Sequence, residues 1–253
     1  MLAGKKNIKC VVFDLDGTIY FGTQLAPHAK QAVAYARQKA GHVFFATNNS
    51  ALPPRAIYER LQNFGIDLSL NEVLTSSFLM AQYLLEHHIT HTLTIGTENL
   101  KNFLEQQGIA PFSKNPQALV VGYNPRFTIK DLDPALNYLP KEYLFVAANQ
   151  DLSYPVENGW LTPGAGAIVH MAQAVLHKKP DVLIGKPSPF MLSWISAQLN
   201  LQPEQILMIG DQYYSDIQMA EQWGALALLI TNQHPNPYRC PTIDSLTKIE
   251  EFV

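Results

Sequence analysis

Four short segments of this 253-residue chain carry side chains suited to chemistry, and each follows an apolar run. The first is Asp14-Leu15-Asp16-Gly17-Thr18, closing the run 8–13. A spacing of two in extended backbone points both carboxylates the same way, and Gly17 lets the chain turn sharply behind them. Two neighbouring carboxylates repel unless a cation neutralises them, and an all-oxygen donor set suits a hard ion such as Mg²⁺. A calcium loop of the helix–loop–helix type needs its glycine at the sixth position. Here glycine is fourth, which excludes that reading.

The second segment, Thr47-Asn48-Asn49-Ser50, ends the run 43–46. The Thr47 hydroxyl and the backbone N–H groups that follow, beginning with Asn48, form a nest of donors for phosphate oxygens. Asn49 and Ser50 also suit a helix N-cap ahead of Pro53. The third, Gly185-Lys186-Pro187-Ser188, places a compact positive charge directly after an apolar strand, where it can neutralise Asp14 and a bound phosphate. It is not a nucleotide-binding Walker loop, because position 180 is proline where that loop needs glycine. The fourth is Gly210-Asp211, with Asp216 five residues on. Asp211 supplies a further metal oxygen, and Asp216 is placed to orient Lys186 or the metal's water from behind.

Together these residues describe metal-assisted phosphoryl transfer. Asp14 attacks phosphorus and becomes an aspartyl phosphate. Asp16 protonates the departing alkoxide and then takes a proton from the attacking water. Lys186, Thr47 and the loop amides at Asn48 hold the phosphoryl oxygens, while Mg²⁺ held by Asp14 and Asp211 offsets the repulsion between anions. The readings that compete are a phosphotransferase or phosphomutase, whose acceptor is not water, and a small-ligand binding protein without catalysis.

The elements needed to bring these segments together follow from hydrophobic periodicity. Strands are predicted at 8–13, 43–46, 91–95, 118–121, 143–148, 182–184, 206–209 and 225–230. Helices are predicted at 27–40, 53–64, 72–87, 100–107, 129–139, 164–176, 190–199, 214–223 and 243–252. Alternating strands and helices with short connections specify a mostly parallel sheet covered by helices. Ligands bind such sheets beyond the carboxyl ends of their strands, where all four segments fall. So many strands favour two α/β domains, one formed by 1–77 and 179–253 and a smaller one, 78–178, inserted between them. Gly164-Ala165-Gly166 lacks the third glycine of a dinucleotide fingerprint and reads as a close-packed helix start. Trp160, Tyr213 and Tyr214 are candidate substrate contacts.

Composition sets the outer limits. Hydrophobic residues make up 47% and charged residues 15%, enough for a sizeable core and unlike a disordered chain. The net charge of −3, with basic clusters no longer than Lys5-Lys6 and Lys178-Lys179, argues against nucleic acid as a partner. No apolar run approaches the roughly 18 residues that span a bilayer. Two cysteines, Cys10 and Cys240, do not make a disulfide scaffold and fit a reducing cytoplasm.

The four segments resemble the motif set of the haloacid dehalogenase superfamily, including the acid two residues after the nucleophile that its phosphatases carry and its dehalogenases lack. The resemblance implies a Rossmann-like core, and a metal that also takes the backbone carbonyl of Asp16. The long insert is similar to the α/β cap of the branch with nucleotide and nitrophenyl phosphate phosphatases. Val120-Val121-Gly122-Tyr123, Ala148-Asn149-Gln150-Asp151 and Thr162-Pro163-Gly164-Ala165-Gly166-Ala167 carry that likeness. Members are usually cytoplasmic, act on small phosphorylated metabolites and often dimerise through the cap, so a cap-mediated homodimer is an expectation. Two places depart from the branch. Asn124-Pro125 stands where Asp commonly follows the glycine-aromatic pair, and Gln212-Tyr213-Tyr214 where Asn or Arg commonly follows the metal aspartate.

Overall fold

In a computed structural model, which describes residues 7–155, 160–231 and 238–253, the chain divides into two compact units. The first comprises Met1–Thr47, Ile57–Leu74 and Lys186–Val253, and the second Asn48–Ala56 and Thr75–Gly185. Segment Asn48–Ala56, which the sequence reading assigned to the larger domain, counts with the second unit. Lys5-Lys6 lies outside the described residues.

A six-stranded sheet organises the first unit, in the spatial order Thr242–Ile243, Leu226–Ile230, Ile206–Gly210, Cys10–Asp14, His42–Thr47, Val73–Thr75. Cys10–Asp14 is buried along its whole length, as a central parallel strand covered on both faces must be. It pairs in parallel with His42–Thr47 and with Ile206–Gly210. Chain order reverses at this strand. The second and third strands of the sheet in sequence lie on one side of it and the later three on the other, which makes its carboxyl end the topological switch point. Register does the rest. Asp14 pairs with Ala46, so Thr47 is the next residue along, and Phe13 pairs with Ile209, so Gly210-Asp211 leave the sheet at the same level.

The helix Ala29–Ala40 shows how the covering layer is written in the sequence. Ala32, Val33, Ala36 and Ala40 recur at helical spacing and are buried. Gly41 closes the helix at φ 88°, its N–H donating to the Arg37 carbonyl. The second unit is built on a separate four-stranded parallel sheet, Val182–Leu183, Leu144–Ala147, Ala118–Val121, Thr92–Ile95. Phe145, Leu119 and Val121 meet Ile168 and Val169 of the helix Ala165–Leu176 in its core. Among the described residues no helix is long and apolar enough to cross a membrane.

The expected mostly parallel α/β architecture is present, and several local expectations are corrected. Residues 72–87 were expected to form one helix. Instead Val73–Thr75 is an edge strand and the helix runs from Ser76 to Glu86. Its start is set by Thr75, whose hydroxyl accepts from the Phe78 N–H while its own backbone stays extended. The terminal helix expected over 243–252 is a strand pair residue at Ile243 followed by a 3₁₀ turn, Leu246–Glu251, capped by Ser245. Residues 129–139 likewise begin as a 3₁₀ turn, with the α-helix confined to Asp133–Tyr138. Two short hairpins, Tyr20–Phe21 with Gln24–Leu25 and Ser153–Pro155 with Leu161–Pro163, were not foreseen, being too short to carry a periodicity. Cys10 and Cys240 are not joined in a disulfide, and burial pushes the Cys10 thiol up to about 12.

The Thr75 hydroxyl also meets the Ser77 hydroxyl at 2.7 Å, so its loss reaches two groups. Thr75→Val keeps the β-branched strand residue but removes the cap, and should cost about 1–2 kcal/mol in urea unfolding. Thr75→Ser should stay near the parent value. A Val variant as stable as the parent would contradict this account of where the helix starts.

Candidate active site

At the carboxyl edge of the six-stranded sheet the buried ammonium of Lys186 lies between two buried carboxylates. It donates to Asp14 Oδ1 at 2.5 Å, to Asp216 Oδ1 at 2.6 Å and to the Ala46 carbonyl at 3.3 Å. Asp14, Lys186 and Asp216 are respectively 6%, 3% and 1% exposed, so water can compensate none of these charges. Each partner came from a different strand end in the sequence.

The loop after Ile206–Gly210 explains the position of Asp216. Residues Tyr213–Ile217 form a π-turn, a wider turn than the α-helix expected from residue 214, and the α-helix begins only at Gln218. The Gln212 carbonyl accepts from the Asp216 N–H at 2.9 Å and, across the wider five-residue span, from the Ile217 N–H at 3.5 Å. The Asp216 side chain accepts from the Gln212 N–H at 3.1 Å. One carboxylate therefore shapes its own loop with Oδ2 and holds Lys186 with Oδ1.

Asp211 completes the cluster. One carboxylate oxygen from each of Asp14, Asp211 and Asp216 lies within 4.8 Å of the others. Gly17 lies so close against Asp211 that a Cβ there would sit 2.3 Å from Oδ2, and its φ of 92° excludes ordinary side chains as well. Asp14 Oδ2 and Asp211 Oδ1 are buried with no hydrogen-bond partner among the described residues. Orphaned buried carboxylate oxygens are expensive, and clustered carboxylate oxygens match the donor set of a hard divalent cation. The protonation behaviour follows the same logic. Burial, then Asp216, pushes the Asp211 carboxyl up to about 7, with Lys186 opposing. Burial also drives Asp14 well above the usual carboxylate range, against the pull of Lys186 and with Asp216 and Asp211 adding to it. For Lys186 burial favours the neutral amine, but Asp14 and Asp216 outweigh it and raise its pKa.

Asp16 sits apart from the triad and is exposed. It accepts from the Tyr20 hydroxyl at 3.2 Å. Crowding by the surrounding chain raises its carboxyl, while Tyr20 and then Arg60 draw it back. The Arg60 guanidinium lies 3.9 Å over the Tyr20 ring and donates to the Gly22 carbonyl. Tyr20 and Arg60 escaped the sequence reading. Tyr20 carried one usable signal, four residues beyond Asp16 in the same turn, and Arg60 carried none. Thr47 is buried in the first unit at the end of its strand, one residue beyond the position paired with Asp14. Asn48 begins the second unit, where its side-chain amide donates to Asp151 Oδ2 at 2.9 Å. Of the candidate substrate contacts, Tyr213 stacks on Tyr238 at 3.9 Å with Tyr214 edge-on to both, and Trp160 is 76% exposed in the second unit.

Residues 11–110 match the family described as haloacid dehalogenase-like hydrolase, and residues 183–238 match a second family described as HAD-hydrolase-like. An acid sugar phosphatase of Staphylococcus epidermidis is 32% identical over 214 residues, 84% of this chain and 82% of that protein. A Staphylococcus aureus acid sugar phosphatase is 31% identical over the same shares. Among solved structures, 4-nitrophenylphosphatase from Thermotoga maritima superposes with a TM-score of 0.88 at 26% identity, covering 97% of each chain. The p-nitrophenyl phosphatase from Archaeoglobus fulgidus gives 0.86 at 25% identity, covering 98% of this chain and 99% of its own.

The raised Asp211 carboxyl has a stability consequence. A folded-state pKa above the unfolded value means the native state holds the proton more tightly, so stability is fully present at low pH. It is lost as pH rises from 3.8 through about 7. In cation-free protein, Asp211→Asn should therefore raise Tm at pH 8 and raise it much less at pH 5. Equal shifts at the two pH values, followed by calorimetry in EDTA, would contradict this origin.

Proposed function

The chain belongs to the haloacid dehalogenase-like hydrolases and hydrolyses phosphomonoesters, and we propose that it does so through an aspartyl phosphate on Asp14, with Mg²⁺, on small phosphorylated metabolites. The observation that carries the proposal is the buried Lys186 ammonium shared by Asp14 and Asp216, beside carboxylate oxygens of Asp14 and Asp211 that have no other partner.

Asp14 attacks phosphorus with one of its carboxylate oxygens. Lys186 keeps the carboxylate charged and in one rotamer and draws the phosphoryl oxygens in, so repulsion between nucleophile and substrate is offset before the bond forms. Thr47 holds the phosphoryl group, and a contribution from Asn48 comes from its backbone N–H, because its side-chain amide is engaged by Asp151. Asp16, raised toward protonation, gives its proton to the leaving alkoxide and then acts as base toward water. Tyr20 orients Asp16, and Arg60 packs behind Tyr20. The residues that would hold Mg²⁺ are Asp14, Asp211 and the Asp16 backbone carbonyl, with Asp216 behind them, and the ion when bound supplies neutralising charge and Lewis-acid polarisation of a phosphoryl oxygen. We read the second unit as the inserted cap. The named activity of the staphylococcal relatives makes sugar phosphates the first substrates to test.

Two measurements test this reading. Phosphate release should require Mg²⁺, stop in EDTA, and fall at least about a thousand-fold in Asp14→Asn. Turnover retained in Asp14→Asn would rule out the covalent route. Asp16→Asn should lose roughly 10²–10⁴-fold on an alkyl or sugar phosphate but much less on 4-nitrophenyl phosphate, whose leaving group needs little protonation. An equal loss on both would remove Asp16 from the role of general acid.

A further inference from the structure

The residue that follows Thr47 is held at both ends by one short segment of the second unit. The Asn48 side-chain amide donates to Asp151 Oδ2 at 2.9 Å, and the Asn48 carbonyl accepts from the Asn149 side chain at 2.8 Å. Asn149 and Asp151 are themselves tied together, the Asp151 N–H donating to Asn149 Oδ1 at 3.1 Å. These three bonds form a closed clasp across 101 to 103 residues of sequence. The segment carrying the clasp is braced from behind by the start of the helix Ala165–Leu176. There the Gly166 N–H donates to the Asp151 carbonyl at 3.0 Å and the Gly164 N–H to the Leu152 carbonyl at 2.9 Å. A Cβ on Gly166 would sit 2.3 Å from the Gln150 carbonyl, so only glycine admits this approach. The glycine run that reads as a false dinucleotide motif thus has a physical task of its own.

We propose that Asp151, together with Asn149, is a positioning residue for the phosphate-binding turn. The proposal rests on the reading of Thr47 and the Asn48 N–H as phosphoryl donors. Pinning both the side chain and the carbonyl of Asn48 fixes the backbone of that residue. The planar peptide before it passes this constraint to its own N–H. An acceptor that is a carboxylate makes the Asn48 bond charge-assisted, and so the stronger of the two holds. Donors held in place before the phosphoryl group arrives stabilise it without reorganisation, whereas a loosened turn pays that cost at each binding event.

The test uses the intact enzyme, with inorganic phosphate as a competitive inhibitor to report on the phosphoryl subsite alone. Asp151→Ala should raise the phosphate inhibition constant and KM roughly ten-fold, as loss of a hydrogen bond to a charged group does. It should change kcat less and leave the Mg²⁺ activation constant in place, since the carboxylates that would hold the ion are elsewhere. Asp151→Asn retains an oxygen acceptor and should recover most of the loss. Asn48→Ala should reproduce the defect, and Asp151→Ala should add little to it in the double variant.

A phosphate inhibition constant within about two-fold of the parent in Asp151→Ala, alongside a clear rise in Thr47→Val, would overturn the clasp while leaving the phosphate site standing. No rise in Thr47→Val either would remove the phosphate-site reading and the clasp with it. Additive losses in the double variant, or an Asn variant as impaired as Ala with the same drop in Tm, would reduce Asp151 to a structural role. Should Asp151→Ala not fold, Asn48→Ala and Asp151→Asn decide the matter by the same constants.

Discussion

A lysine ammonium buried between two aspartates is the constraint on which the first unit depends. Removing three charges from water is costly, and the Coulombic return covers that cost only when the geometry is good and the remaining lone pairs are satisfied. Lys186 meets these terms through Asp14, Asp216 and the Ala46 carbonyl. Asp216 meets them through Lys186 and the Gln212 N–H. Asp14 does not, because its second oxygen is buried without a partner. Among the described carboxylates the imbalance falls on Asp14 Oδ2 and Asp211 Oδ1, where the proposed cation and the phosphoryl group would supply what the protein withholds. Sites that bind and react commonly keep such unsatisfied groups, and the surrounding fold carries the strain.

The sheet makes that arrangement affordable. Its central strand is fully buried and paired on both sides, so the position of Asp14 is fixed by register rather than by a loop. Thr47 and Asp211 leave neighbouring strands at the same level. The π-turn after Asp211 carries Asp216 to Lys186. Gly17 lets the first loop pass over the Asp211 carboxylate without displacing it. Catalytic geometry on rigid strand ends, with loops only trimming it, is what a reaction dominated by positioning and electrostatics requires.

Much of this was legible in the sequence because buried strands announce themselves. An apolar run that ends abruptly in Asp, Thr or Lys leaves few readings, and four such endings pointed to one sheet edge. The architecture followed from the alternation of runs and helices. What was not legible has identifiable causes. Val73–Thr75 is too short to show strand alternation and merges with the helical pattern that follows, so it was absorbed into one long helix. The 3₁₀ turn near the C-terminus has the same apolar spacing as a first helical turn. Arg60 reaches Tyr20 and Gly22 from a helix whose sequence gives no sign of that contact. The Asn48–Asp151 bond joins residues 103 apart, and no local pattern encodes it.

The central claim is that Asp14 is transiently phosphorylated. The most direct measurement is an acid-quenched single turnover of Asp16→Asn with a 4-nitrophenyl ester and Mg²⁺, followed by peptide mass spectrometry. The substitution slows the water attack while leaving the activated first step. The account predicts one phosphoryl group on the peptide containing Asp14, appearing with nitrophenol release and decaying as free phosphate forms. Nitrophenol and phosphate released together, with no phosphoryl group on Asp14 at any time, would contradict it.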